Sequence, residues 1–352
     1  MNVKKINWPL VIIPLLFSFF SIATLTSTAP VLVRSQVIFL VLGIAFYLLI
    51  VMSDYRVWGH YSKYLLIGSL ALLLIVLVAG KAVFGSTRWL QIGSFSLQPS
   101  EFVKLSLVLY IPWLLSKTKN SAEDGKTLLK ILALIIVCFG LVFIQPDLGT
   151  SIVILVSTAG ILWYAGVKKI YFLICAAALG IFSAPVWGLL KPYQKERILV
   201  FINPTLDTLG AGYNVIQSTI AVGSGQLLGR GFGQGTQSHL QFLPVYWTDF
   251  IFAAFAEEWG FVGTFAVVGL YLLLFLVLLR VAMRARDSFG ALLVFGIFLI
   301  FFFQFTVNVG MNLGLLPVTG IPLPLISYGG SSFLVSMALL GLAQSVWINS
   351  RD

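Results

Sequence analysis

Ten apolar stretches dominate this sequence: 9–28, 32–52, 64–84, 99–116, 129–145, 148–166, 170–190, 249–279, 291–313 and 326–348. A helix crosses ~30 Å of hydrocarbon with about 20 apolar residues, so each stretch reaches or nearly reaches spanning length. Only 10% of the chain is charged and 59% is hydrophobic, whereas a soluble domain is about a quarter charged. The pattern excludes an ordered soluble enzyme, a disordered chain and a disulfide-stapled module. It predicts an all-α polytopic membrane protein of about ten transmembrane helices, one integral membrane domain over 1–352. Alternation of the outer-membrane barrel kind does not recur. Between the fifth and sixth stretches stand only Gln145-Pro146-Asp147. The interior proline and the following Gly149 favour a tight hairpin there over one long helix.

The net charge is +10, from 22 Lys and Arg against 12 Asp and Glu. These cations are scattered between apolar stretches, where they orient the chain and meet anionic headgroups; nucleic acid is not an expected partner. With the amino terminus inside, fourteen of the 22 basic residues fall on that side and eight on the other, which places both termini in the cytoplasm. Lys4 and Lys5 precede an apolar run with no small-residue cleavage site, so a first span is expected rather than a cleaved leader. Cys138 and Cys175 lie far apart in apolar runs, and His60 and His239 have no neighbours at metal spacing. Neither pair suggests a disulfide or a His-built metal site.

One connection is long. Residues 191–248, between the seventh and eighth spans, fall outside, and their Trp, Tyr, Phe and Ile content predicts order: a re-entrant or interfacial loop lining a cavity. Its run Gly223, Gly225, Gly229, Gly231, Gly233 and Gly235 fits neither a dinucleotide nor a phosphate-loop spacing, and reads as a pliant loop.

Ionisable residues near the membrane interior are candidates for function, and they gather on the outer side. Arg88 and Trp89 lie in one link; Glu101 and Lys104 share a helix face at i,i+3; Asp147 tops the hairpin; Arg197 opens the long loop and Asp249 closes it. Glu101 and Lys104 could be a buried pair or could line a cavity. Asp147 is placed to cap the sixth helix. Thr248 is placed to cap the eighth, leaving Asp249 to face the cavity. Glu257 and Glu258, about 100° apart on a helix, cannot both face it. These residues describe an outward cavity of cations and carboxylates at a lipid interface. It suits an anionic, lipid-linked substrate of a transferase, a flippase or a transporter.

The run NVGMNLGLLPVTGIPLPLISYGGSS from Asn308 to Ser332 resembles the long motif of the SEDS family of shape, elongation, division and sporulation proteins. Arg88-Trp89, QPSEFVK from Gln98, QPDLGT from Gln145, GAGYNVIQSTIAVGSG from Gly210 and TDFIFAAFAEEWGFVG from Thr248 resemble further blocks in the same order. Asn203-Pro204, Tyr213-Asn214 and Gly235-Thr236-Gln237 look closer to the rod-shape branch than to the division branch. The resemblance implies a peptidoglycan glycosyltransferase of the bacterial inner membrane that polymerises lipid II into glycan strands during cell elongation, with undecaprenyl pyrophosphate leaving. It implies Asp249 as general base, and Lys104 (oriented by Glu101) and Arg197 as ligands of the pyrophosphate, with Arg88, Trp89 and Asp147 completing the substrate site. A divalent cation, Mg or Mn, could assist. The implied partners are a class B penicillin-binding protein and other elongation-complex membrane proteins. Val245 and Trp247 stand where the family commonly has Glu and His, and Ser96 where many members are basic. A lipid II flippase, or a non-catalytic scaffold for a transpeptidase, needs the same cavity but no base.

Overall fold

A computed structural model describes residues 5–79, 81–83, 86–92, 95–117, 124–181, 188, 192–203 and 210–350. Lys191 and Pro204 of the long connection lie outside the described residues. Ten helices coincide with the ten apolar stretches: α1 (Pro9–Thr28), α2 (Pro30–Met52), α3 (Tyr55–Ala79), α4 (Pro99–Lys117), α5 (Gly125–Ile144), α6 (Leu148–Tyr164), α7 (Lys169–Ile181), α11 (Ile251–Met283), α12 (Ser288–Asn312) and α13 (Gly330–Asn349). Among the described residues, α1, α2, α3, α5, α11, α12 and α13 are long and apolar enough to cross a membrane. The three others are short or, as in α4, interrupted by Glu101 and Lys104. The outward faces of the long helices are apolar, with Val78 of α3 91% and Phe265 of α11 67% exposed. Water would penalise such faces and lipid tolerates them. The chain is a multi-pass membrane protein.

Helix α13 is the axis of the bundle, with 83% of its apolar window enclosed. It lies against α2, and small residues set the approach. A Cβ on Gly43 would come 2.7 Å from Phe333, and one on Gly341 would come 3.1 Å from the Tyr47 carbonyl. Tight packing of this kind drives helix association where hydrophobic collapse cannot. In the link between α11 and α12, Asp287 caps α12 through Gly290 N–H at 2.8 Å. It also accepts from Tyr55 Oη at 2.8 Å and Arg56 Nε at 2.9 Å. Burial works to raise the Asp287 carboxyl, but these hydrogen bonds outweigh it and hold it below its ordinary value.

Two expectations shift. The third span begins at Tyr55 rather than residue 64, because Asp54 receives the Arg56 N–H at 2.8 Å and the Arg56–Asp287 bond holds the polar first turn in place. It also ends at Ala79 instead of residue 84. A small antiparallel sheet follows, β1 (Lys81–Val83), β2 (Ser86–Ile92) and β3 (Phe95–Leu97), with Lys81 opposite Trp89 and Gln91 opposite Ser96. β-Branched and aromatic residues in that stretch favour strands, and apolar content alone does not register them.

The long connection is ordered where described. It holds α8 (Pro192–Ile202), α9 (Ala211–Ser224) and the single turn α10 (Thr236–His239). The glycine run has a specific structural task. Helix α11 breaks at Gly260 (φ 64°, ψ −163°), which frees backbone groups within the bundle. Residues 226–231 satisfy them: Phe261 N–H donates to Gln226 O at 2.8 Å, Val262 N–H to Leu227 O at 3.1 Å, Arg230 N–H to Glu257 O at 2.9 Å and Gly231 N–H to Glu258 O at 3.1 Å. Non-helical backbone is tolerated at such depth only when protein supplies its partners. The approach is too close for side chains, since a Cβ on Gly229 would stand 2.0 Å from Glu258 O and one on Gly225 2.0 Å from Ala256 O. The reading of a merely pliant loop is corrected: these glycines permit backbone-to-backbone docking.

Candidate active site

Asp249 ends the turn that leads into α11, and its main chain is held from three directions. Asn308 Nδ2 donates to the Asp249 carbonyl at 3.0 Å and Asn312 Nδ2 to the same oxygen at 3.1 Å. Ser327 Oγ donates to Thr248 O at 2.7 Å, and Tyr328 N–H to Trp247 O at 2.9 Å. Asn312 Oδ1 in turn accepts Ala253 N–H at 3.1 Å, in the first turn of α11. The residues at the N-terminal end of α11 are thereby pinned to α12 and to the 321–328 segment. Helix α11 has no side-chain cap at its N-terminus, so the expected Thr248 cap is not formed. The Thr248 side chain instead hydrogen-bonds the Asp249 carboxylate.

Around that carboxylate stand two cations and a second acid. Gly320 has φ +74°, and a Cβ there would lie 3.5 Å from Asp249 Oδ2 and 3.8 Å from Arg197 Nη1. The two side chains therefore converge where a larger residue would intrude. Burial raises the Asp249 pKa above its ordinary value; Arg88, Arg197 and the Thr248 bond oppose the rise, and Asp147 adds to it. The residue as a whole is partly exposed. A carboxyl of raised pKa in a cleft is the usual preparation for proton transfer.

Asp147 does cap α6, accepting Thr150 N–H at 3.1 Å. Its other contacts tie it to the site: Arg88 Nη1 at 3.7 Å, Gln98 Nε2 at 2.8 Å and Ser100 Oγ at 3.3 Å. Of the sequence-expected residues, Arg88, Asp147, Arg197 and Asp249 form one electrostatic group. Trp89 adjoins Arg88 on β2, where successive side chains point to opposite faces. Glu101 and Lys104 form a fully enclosed pair at 2.8 Å.

The two deeper acids have structural partners. Glu257 accepts Gln237 N–H at 3.0 Å and Ser238 N–H at 3.4 Å, so it caps the α10 turn. Glu258 accepts from Ser27 Oγ, and His239 Nδ1 lies 4.0 Å away. Asn308, Asn312, Ser327 and Gly320 were not singled out from sequence. Two asparagines at i,i+4 in the mostly apolar α12 are the signal that marks Asn308 and Asn312.

The donors present do not fit a resident metal. Both Asp147 oxygens already accept hydrogen bonds, and Val245 and Trp247 offer no ligand atom beside Asp249. Among the described residues no group of three or more His, Cys, Asp or Glu could hold a metal ion.

Fold and site define a class: a polytopic α-helical membrane protein with a carboxylate–guanidinium cup at one end of its bundle. Residues 5–352 match the FtsW/RodA/SpoVE family, described as cell cycle protein, and the chain belongs to that family. It is 40% identical over 292 residues to the peptidoglycan glycosyltransferase MrdB of Escherichia coli K12, covering 83% of this chain and 79% of that one. It is 33% identical to the peptidoglycan glycosyltransferase RodA of Treponema pallidum, covering 90% and 89%. Among solved structures it resembles a chain described under structural coordination of polymerization and crosslinking by a peptidoglycan synthase complex, with TM-score 0.83, 35% identity and 98% of each chain covered. The rod shape determining protein RodA of Thermus thermophilus superposes with TM-score 0.74 at 29% identity over 100% of both chains.

Proposed function

We propose that this protein is a peptidoglycan glycosyltransferase that polymerises lipid II, with Asp249 as the general base. The carrying observation is the convergence of Asp249 and Arg197 at Gly320, with Arg88 bearing on the same carboxylate. The 4-hydroxyl oxygen of one disaccharide attacks the anomeric carbon of another. Asp249 takes the hydroxyl proton, the bond from that carbon to the phosphate oxygen breaks, and the electron pair leaves with undecaprenyl pyrophosphate. Arg88 and Arg197 offset the charge on the departing group, which is where fixed cations contribute most. The cup faces outward from a bacterial inner membrane, with both termini in the cytoplasm. Cross-linking comes from a class B penicillin-binding protein, a pairing in keeping with the synthase complex to which this chain is similar.

The test is Asp249→Asn, close to isosteric. Purified protein is supplied with lipid II and a class B partner, and glycan polymer is measured. Loss of a general base costs typically ~10²–10⁴-fold, so the variant should make almost no polymer. Equal polymer from both forms would reject Asp249 as base. No polymer from either form, with transbilayer movement of lipid II intact in both, would favour a flippase.

A further inference from the structure

Ser27, His239 and Glu258 form a cluster that the reaction as written leaves unused. They come from three elements far apart in sequence: the last turn of α1, the α10 turn and the first half of α11. Glu258 is enclosed, with 2% of its surface exposed, and an ionisable group at such depth marks function. Three contacts hold the cluster together. His239 Nδ1 lies 2.7 Å from Gly235 O, His239 Nε2 lies 3.4 Å from Ser27 Oγ, and Ser27 Oγ is hydrogen-bonded to Glu258 Oε1.

Each contact needs one proton between its two atoms. A carbonyl only accepts, so Nδ1 must carry a hydrogen, and the Ser27 hydroxyl has one to give. A neutral imidazole and an ionised carboxylate thus bring two protons to three contacts. Without a third, the lone pair of Nε2 and a lone pair of Ser27 Oγ face each other. The third proton has two possible places. On Nε2 it donates to Ser27 Oγ while Ser27 donates to Glu258; on Glu258 both bonds run the other way. Free imidazole binds a proton about a hundredfold more tightly than a carboxylate, which puts it on His239, whose Nδ1 is 4.0 Å from Glu258 Oε1. We propose that these three residues are a proton-operated latch: an imidazolium and a carboxylate bridged by a serine hydroxyl, which clamps α10 to α1 and α11 and releases it as pH rises.

The latch bears on the segment that delivers Asp249. Leu243 N–H donates to Gln237 O at 3.0 Å, so the α10 turn anchors the chain that runs on to residue 249. Few other charges surround it. Glu257 is taken up in capping α10, and Arg230 Nη1 lies 3.3 Å from Thr236 Oγ1. Helices α1, α12 and α13 contain no Asp, Glu, Lys, Arg or His, α9 brings only Tyr213, and Arg34 at the start of α2 is exposed. The proton is held more tightly in the latched form. Its contribution is therefore complete at low pH and is lost as pH rises through the titration of that form, in the range where imidazole changes charge.

The experiment uses the full-length protein in detergent, with a tag free of histidine. His60 is the other histidine of the chain, so His60→Gln leaves His239 as the one imidazole to observe by ¹⁵N NMR. At pH 6 both ring nitrogens should be protonated, and at pH 9 the ring should be neutral. A hydrogen bond to a charged group corresponds to roughly tenfold or more in an equilibrium. Glu258→Gln and Ser27→Ala should therefore each move the titration about one pH unit lower. Ser27 is partly exposed, so its substitution spares the fold if Glu258→Gln does not. Hydrogen exchange gives the second readout. Protection of amides 236–243, corrected for intrinsic exchange, should be about tenfold greater at pH 6 than at pH 9, and Ser27→Ala should remove the difference. A neutral ring at pH 6, a titration unmoved by the substitutions, or protection that does not change with pH would each overturn the proposal. None of these readouts involves lipid II, so the latch stands or falls apart from the glycosyltransferase reading.

Discussion

Asn308 grips Asp249 by its backbone: the side-chain amide donates to the Asp249 carbonyl at 3.0 Å and to Ile321 O at 2.8 Å. One side chain thus ties the turn carrying the carboxylate to the segment carrying Gly320. Replacing it with leucine takes the Asn308 donor from the Ile321 carbonyl, at a cost of about 1–3 kcal/mol, and leaves the Asp249 carbonyl with Asn312 as its side-chain donor. Asn308→Leu should lower the melting temperature and, since a misplacement of about 1 Å can cost ~10²-fold, reduce polymer yield by one to two orders of magnitude. Wild-type turnover in a folded variant would show that Asn312 alone positions the base.

The acid limb of the rate profile should lie above the ordinary carboxylate range, because burial raises the Asp249 pKa despite Arg88 and Arg197. Removing either cation removes an opposing influence. Arg197→Gln and Arg88→Gln should each move the limb to higher pH in a kcat/KM titration, whatever happens to its height. The stability sign follows. A raised folded pKa means the folded state holds the proton more tightly, so stability is lost as pH rises from the ordinary value through the raised one. At neutral pH, Asp249→Asn should melt at or above the wild-type temperature.

Lys104 and Glu101 pose a choice that a double mutant settles. In a purely structural pair, removing one partner strands a buried charge at a cost of ~3–5 kcal/mol, while replacing both with apolar residues is close to neutral. Lys104→Met alone should therefore destabilise more than Lys104→Met with Glu101→Leu. If the double variant folds but makes no polymer, Lys104 also serves the pyrophosphate. Near-normal polymer would confine the pair to structure.

The docking of residues 226–231 against the break in α11 can be tested with two glycines of similar backbone conformation. Gly229 (φ +83°) would place a Cβ 2.0 Å from Glu258 O, while Gly233 (φ +77°) faces open space. Gly233→Ala should show only the conformational penalty, ~1–2 kcal/mol. Gly229→Ala should lose clearly more and impair folding in thermal melts. Equal losses would mean that the close approach contributes nothing.

Topology rests on charge distribution and is checked in intact cells. A cysteine placed between Lys117 and Lys130 should be shielded from impermeant thiol reagents, and one between Gly229 and Gly235 should react. The reverse pattern would invert the bundle and put the cup on the wrong side for lipid-linked sugar polymerisation.

Much of the bundle was legible because crossing a membrane is a local requirement. Twenty apolar residues in a row must become a helix wherever they fall, so the apolar stretches marked helices, seven of them among the described residues long and apolar enough to cross a membrane. Asp147 could also be read as a cap, since the bond from Thr150 N–H spans three residues. Strand β1 escaped that reading because it falls within the apolar stretch 64–84, and β2 and β3 because they lie in a link between stretches that hydropathy does not read.

What sequence by itself determined was therefore the class of fold, the candidate charges and, through motif order, the family. Tertiary structure decided which charges act together. Arg88 from a strand, Asp147 from a helix cap, Arg197 from α8 and Asp249 from a turn meet through packing that no spacing encodes. The same holds for Asn308 and Asn312, whose contacts with Asp249 join residues 59 and 63 positions apart. It holds for the glycines too, whose need for φ > 0 and missing Cβ appears only against the Gly260 break. Local periodicity fixes what a segment becomes; contact between distant segments fixes what it faces, and the chemistry depends on the second.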